Sequence, residues 1–133
     1  MTALLSAAIV TTFGAALIGF AMLVTLRRPI AERFLRLLGA SAPAHYAEQL
    51  SRVVVGAALI GFSPAMRYAR VFEVFGWLMV LTSVVLLLMP WRWHQRFAER
   101  VMPLVVRYLR VYAAGALALG LFILFAATRS TAR

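Results

Sequence analysis

The chain has 133 residues, 64% of them hydrophobic, and a mean hydropathy of +0.90, far above the roughly 45 to 50% apolar share of soluble domains. Its formal net charge of +10 comes from fourteen arginines against four glutamates, with no lysine, aspartate or cysteine. So much apolar surface excludes a soluble globular domain, and the lack of cysteine excludes disulfides, thiolate metal sites and thiol catalysis.

The first apolar run, 3–26, has no ionisable side chain and is long enough to cross about 30 Å of hydrocarbon at 1.5 Å per residue. No basic residue precedes Arg27, and the run exceeds a signal-peptide core, so it is expected to be retained as a membrane span. Ala7, Thr11, Ala15 and Gly19 recur every fourth residue, which predicts a narrow packing stripe. Arg27 and Arg28 end the run, and Pro29 suits the first turn of a new helix. Over 29–38, Arg28, Glu32 and Arg36 share one face while Ile30, Phe34, Leu37 and Leu38 share the other. That pattern predicts an amphipathic helix lying in the membrane interface, ended at Gly39.

A second span is expected over 43–62, capped near Ser41, with His45, Glu48 and Arg52 in its first turns among the headgroups. Ser63-Pro64 reads as the start of the next helix, with Arg70 and Glu73 forming an interfacial ion pair. The third span, 71–89, carries Gly76 and Ser83 as its small-residue face and stops at Pro90. In 90–101, Arg92, Arg96 and Arg100 step by four beside Trp93, Phe97 and Val101, a second interfacial helix with tryptophan at headgroup depth. Pro103 is expected to break it and to open the fourth span, 106–127, headed by Arg107 and Arg110.

The run Gly14-Ala15-Ala16-Leu17-Ile18-Gly19-Phe20 recurs unchanged at 56–62, and a looser copy occupies 115–122. Each copy places Ala and Gly four apart, at Ala15/Gly19, Ala57/Gly61 and Ala116/Gly120, on one helical face. Lipid tails supply no hydrophobic drive between helices, so such faces predict close helix packing, within the chain or in a homo-oligomer. The order span, interfacial helix, span, then the same again, predicts an all-α membrane protein of four transmembrane helices in two tandem halves. It forms one integral membrane domain over 1–133. Arginines 27, 28, 33, 36, 52, 92, 96, 100, 107 and 110 fall on one side and 67, 70, 129 and 133 on the other. This imbalance predicts cytoplasmic interfacial helices and both termini outside the cytoplasm.

No span has a carboxylate at its middle, which argues against proton-coupled transport. His45 and His94 are the only histidines, and both are expected to face solvent or headgroups, leaving no axial ligand inside the membrane. No catalytic set, phosphate loop or metal spacing is present, so no enzyme activity and no cofactor are expected. The arginines of the two interfacial helices, Arg28, Arg36, Arg92, Arg96 and Arg100, with Trp93 and Phe97, are the expected contacts for anionic lipid headgroups or for a larger membrane complex. Nucleic acid is not expected as a partner.

The segment Phe75-Gly76-Trp77 through Leu88-Met89-Pro90-Trp91-Arg92-Trp93-His94, followed by Leu109-Arg110 and a glycine-spaced span, resembles small four-span bacterial inner-membrane proteins. With Arg52 ahead of Gly56 and Gly61, the chain is also similar to the DoxX group. The resemblance implies a bacterial plasma-membrane location and carries over no functional residue. The leading expectation is a non-catalytic accessory or scaffold protein that binds lipid and a membrane partner. The alternatives are a small transporter or channel, with a hydrated cleft near Thr11, Thr82 and Ser83, and a DoxX-like redox accessory.

Overall fold

The computed structural model describes residues 2–38 and 40–128. Six α-helices and one 3₁₀ turn follow in order: α1 (Ala3–Leu26), α2 (Arg28–Leu38), α3 (Ala42–Phe62), the turn Ser63–Ala65, α4 (Ala69–Leu88), α5 (Trp91–Arg107) and α6 (Leu109–Thr128). Among the described residues there is no strand.

Local chemistry sets most of the helix ends. The Thr2 hydroxyl accepts from the Leu5 amide at 3.3 Å and Ser41 does the same for Ala44, each supplying an acceptor to an amide of the first turn. Met89 precedes Pro90 and is extended, with φ −77° and ψ 137°, as steric conflict with the proline ring requires. Two junctions differ from the sequence expectation. Ser63-Pro64 does not open α4; it forms the 3₁₀ turn, and the helix begins only after Tyr68, whose left-handed φ of 59° reverses the chain. Pro103 does not end α5, which continues to Arg107. Proline keeps a helical φ and removes one amide, and the carbonyl it leaves unbonded is on Glu99, an exposed residue.

Among the described residues three helices are long and apolar enough to cross a membrane: α1, α4 and α6, with mean hydropathies of 2.2, 2.3 and 2.1 over their best stretches. The expected fourth span does not reach this character. α3 has the length, 21 residues, but His45, Glu48, Gln49 and Arg52 fill its first three turns, so the expectation of four spanning helices is corrected to three.

The long helices pack as antiparallel pairs, α1 with α6 and α3 with α4, and the pairs meet chiefly along α1 and α3. The two pairs share one crossing geometry. A Cβ on Gly120 would stand 2.7 Å from the Gly14 carbonyl oxygen and 2.9 Å from Ile18 Cγ1. A Cβ on Gly76 would stand 2.8 Å from the Gly56 carbonyl oxygen and 2.9 Å from Ile60 Cγ1. Gly14 and Gly56 open the repeated heptapeptide and Ile18 and Ile60 are its fifth residues, so both copies are used in the same way.

The expected seam residues lie elsewhere, apart from Gly120. Gly19 and Ala15 are exposed, and nothing approaches a Cβ at Gly19 within 4 Å. A Cβ on Gly61 would stand 3.3 Å from the Ser6 hydroxyl of α1, and Ala57 and Ala116 are half-buried. A main core of Val10, Ala58, Leu59, Phe72, Met79 and Ile123 fills the space between the pairs. A smaller cluster of Ala21, Val24, Ala31, Leu109 and Ala113 seats α2 against α1 and α6.

Gly120→Ala and Gly56→Ala are expected to destabilise the protein by about 1–3 kcal/mol, the typical cost of forcing extra volume into a packed site. Gly19→Ala, with open space around it, is expected to be neutral or stabilising by up to about 1 kcal/mol through helix propensity. Thermal unfolding in detergent compares them, and equal melting of all three variants would contradict the glycine crossings.

Candidate functional site

Chemistry is concentrated at one end of the packed helices. The C-terminus of α1, the N-terminus of α3, the C-terminus of α4 and the N-terminus of α6 meet there, with α2 and α5 alongside. Ten of the twelve arginines among the described residues lie at this end; Arg67 and Arg70 are at the other. Arg129 and Arg133, counted earlier with Arg67 and Arg70, lie outside the described residues.

The two amphipathic helices are held very differently. α2 is anchored: Ala31 is fully buried, and Arg28 donates from Nε to Glu32 at 3.0 Å and from Nη2 to the Val106 carbonyl at 2.7 Å. α5 has no buried residue; it is held by the Val106 carbonyl that accepts from Arg28 of α2 and by His94 packed on His45 of α3. One of its stripes exposes Trp93, Phe97 and Leu104, at 62%, 64% and 51%. Beside it run the exposed Arg92, Arg96 and Arg100. Exposed Arg36 of α2 joins Gln95, Ala98, Glu99 and Met102 of α5 in lining a cleft of about 370 Å³.

Under these helices lies a polar cluster that the periodicity of α3 does not announce. Both histidines were expected in solvent or among headgroups. His45 is instead 1% exposed, its Nε2 lies 3.2 Å from the Leu86 carbonyl oxygen, and its ring centroid is 4.5 Å from that of His94 on α5.

Gln49 and Ser83 are fully buried, and the register set by Gly56/Gly76 and His45/Leu86 puts them opposite each other on α3 and α4. Neither side chain finds a hydrogen-bond partner among the described residues, and nor does His45 Nδ1. Arg52 donates to the Thr82 hydroxyl at 3.3 Å, and Thr82 donates to the Leu78 carbonyl at 2.6 Å. The sequence signal was four polar residues at positions 45, 48, 49 and 52, three of which (45, 49 and 52) lie on the face that α3 turns toward α4.

Other expected groupings are not assembled. Thr11 is exposed on α1 and bonds to the Ala7 carbonyl of its own helix, while Ser83 is buried, so the proposed hydroxyl-lined cleft does not form. Arg70 and Glu73 make no ion pair; among the described residues Arg28–Glu32 is the ion pair present. A solvated pair gains little over the entropy of holding two side chains together. No group of three metal-ligating side chains occurs among the described residues. No protein family matches the chain, and no curated protein or solved structure matches it.

His94 titrates below its ordinary value of 6.5, pushed down first by burial and then by His45 and Arg52, while Glu48 pulls the other way. The docked helix therefore binds fewer protons than a released one, so docking has its full strength above pH 6.5 and weakens as the pH falls through that value. Amide exchange in α5, corrected for intrinsic rates, should accelerate on going from about pH 7.5 to 5.5, and His94→Phe should flatten the dependence. Exchange unaffected by pH in the native chain would contradict this contact.

Proposed function

We propose that this is a non-catalytic membrane protein that binds anionic lipid at its arginine-rich end and serves there as an accessory or scaffold for a membrane partner. The observation that carries the reading is α5, a helix with no buried residue whose aromatic stripe of Trp93 and Phe97 runs beside Arg92, Arg96 and Arg100. Rings of this kind settle at headgroup depth with the guanidinium groups among phosphates, and each basic residue near an anionic surface contributes about 1 kcal/mol. α1, α4 and α6 cross the bilayer in this reading. α3 packs along α4 with His45 and Gln49 turned inward, while half-buried Arg52 donates to the Thr82 hydroxyl of α4. The arginine imbalance favours the cytoplasmic side of a bacterial plasma membrane for α2 and α5. The open face around Ala15 and Gly19 on α1 is the surface offered to a partner helix.

In nanodiscs, protection of α5 amides is expected to rise when phosphatidylglycerol replaces phosphatidylcholine, and Trp93→Ser/Phe97→Ser is expected to abolish the rise. Protection independent of lipid charge would overturn the surface-binding reading. The chain has no native cysteine, so single cysteines introduced at Arg96 and at Pro64 report topology directly. A membrane-impermeant maleimide is expected to reach them from opposite sides, and labelling of both from one side would refute the orientation.

A further inference from the structure

Below their glycine crossing, α1 and α6 form a second feature that the surface reading of α5 does not use. Ala21 to Leu26 of α1, Arg28 at the start of α2, and Arg110 to Leu117 of α6 enclose a groove of about 620 Å³. Alanines form its floor, Ala21 and Ala113 buried and Ala114 open, and its walls are Met22, Leu26 and Leu117. Leu26 is 74% exposed and Met22 55%, so the groove opens outward, toward lipid in a membrane. Its apolar length ends at two cations, Arg28 and Arg110.

Those two arginines are not equivalent. Arg28 is committed through Nε to Glu32 and through Nη2 to the Val106 carbonyl, which fixes its guanidinium at the mouth and leaves Nη1 without a partner. The Arg110 side chain makes no hydrogen bond or ion pair among the described residues and is exposed. One held and one free guanidinium at the top of an apolar channel are complementary to a phosphodiester carrying an acyl chain. Arg27 and Arg107 stand close by in sequence and both are exposed. The resulting excess of positive charge disfavours a headgroup with its own cation, such as choline, and favours an anionic one.

We infer that the α1/α6 groove is a binding site for a single anionic phospholipid, its phosphate between Arg28 and Arg110 and one acyl chain lying over Ala21, Ala113 and Ala114. The inference rests on the proposed placement of the arginine-rich end at a lipid surface, but its site is built by α1, α6 and Arg28 of α2, to which α5 contributes only the Val106 carbonyl and not its aromatic stripe. The site is stoichiometric, where the α5 contact is with the bilayer surface as a whole. It ties α2 into the same anchor, because Arg28 is the residue that fastens α2 to the chain at Val106.

The test is native mass spectrometry of the full chain released from nanodiscs containing equal phosphatidylglycerol and phosphatidylcholine. One retained phosphatidylglycerol per chain is expected. Arg110→Gln, which removes a side chain without a protein partner, is expected to weaken retention by about tenfold, the usual scale for losing a charge-assisted contact. Ala114→Phe fills the groove from its open side and is expected to displace the lipid while leaving thermal unfolding in lipid-free detergent unchanged. Trp93→Ser/Phe97→Ser is expected to keep the bound lipid, which separates failure of this site from failure of the α5 reading.

Equal retention of phosphatidylcholine, or phosphatidylglycerol retained undiminished by Arg110→Gln, would overturn the site. So would a second protein chain in place of lipid, or displacement of the lipid by inorganic phosphate as effectively as by phosphatidylglycerol. That last result would mean that the arginines hold phosphate without help from the groove.

Discussion

Backbone touching backbone is the constraint on which this fold depends. At two places a glycine Cα lies so close to a glycine carbonyl of the facing helix that a methyl group would have no room: Gly120 on Gly14, and Gly76 on Gly56. Close approach over small residues lets dispersion act over a long contact when the hydrophobic effect cannot, because the surroundings of a helix in a membrane are as apolar as the helix itself. Everything at the arginine-rich end follows from these two crossings. The register of α3 on α4 brings Gln49 to Ser83 and His45 to Leu86. The register of α1 on α6 leaves the groove between Met22 and Leu117, beside the contact of Arg28 on α2 with Val106 on α5.

Much of this was readable from the residues alone, and the failures have physical causes. Helix positions were visible because apolar runs, prolines and arginine pairs punctuate the chain clearly; α1 in particular runs over the expected residues. Which glycine makes contact was not visible. Gly14, Ala15, Ala16 and Gly19 put small side chains on several faces of one helix, and only the partner's register selects among them, so the regular four-residue stripe was chosen over the true contact one position earlier. The number of spanning helices was overcounted because α3 has the length of a span but not the apolar content. Pro103 was read as a stop because the cost of an interior proline is judged for a helix whose carbonyl has nowhere to go, whereas Glu99 stands exposed and its carbonyl group can be solvated.

The polar cluster shows a further limit of reading by periodicity. His45, Gln49 and Arg52 looked like a solvated entry to a membrane helix, because polar residues at a helix start usually are. They are instead the side that α3 turns toward α4, a polar seam inside an apolar assembly. Buried polar groups without partners are expensive in a protein interior. They accumulate under α5, which buries no residue, rather than at the glycine crossings. His94 connects the two: it sits on α5 and packs on His45, one of the most buried side chains.

The pairing of helices also sets an order in time. α3 and α4 are joined by a short turn, so their glycine crossing can close as soon as both have left the ribosome, at small loop-closure cost. α1 has no such neighbour: its partner α6 is made only after α2 to α5. Until then Gly14 and Ile18 stand without their partner, beside a hairpin that carries the same seven residues already engaged. The repeated heptapeptide makes α1 and α3 interchangeable candidates for any helix offering a glycine. Early closure of the α3/α4 hairpin withdraws one of the two copies from that competition, leaving α6 a single correct face to find.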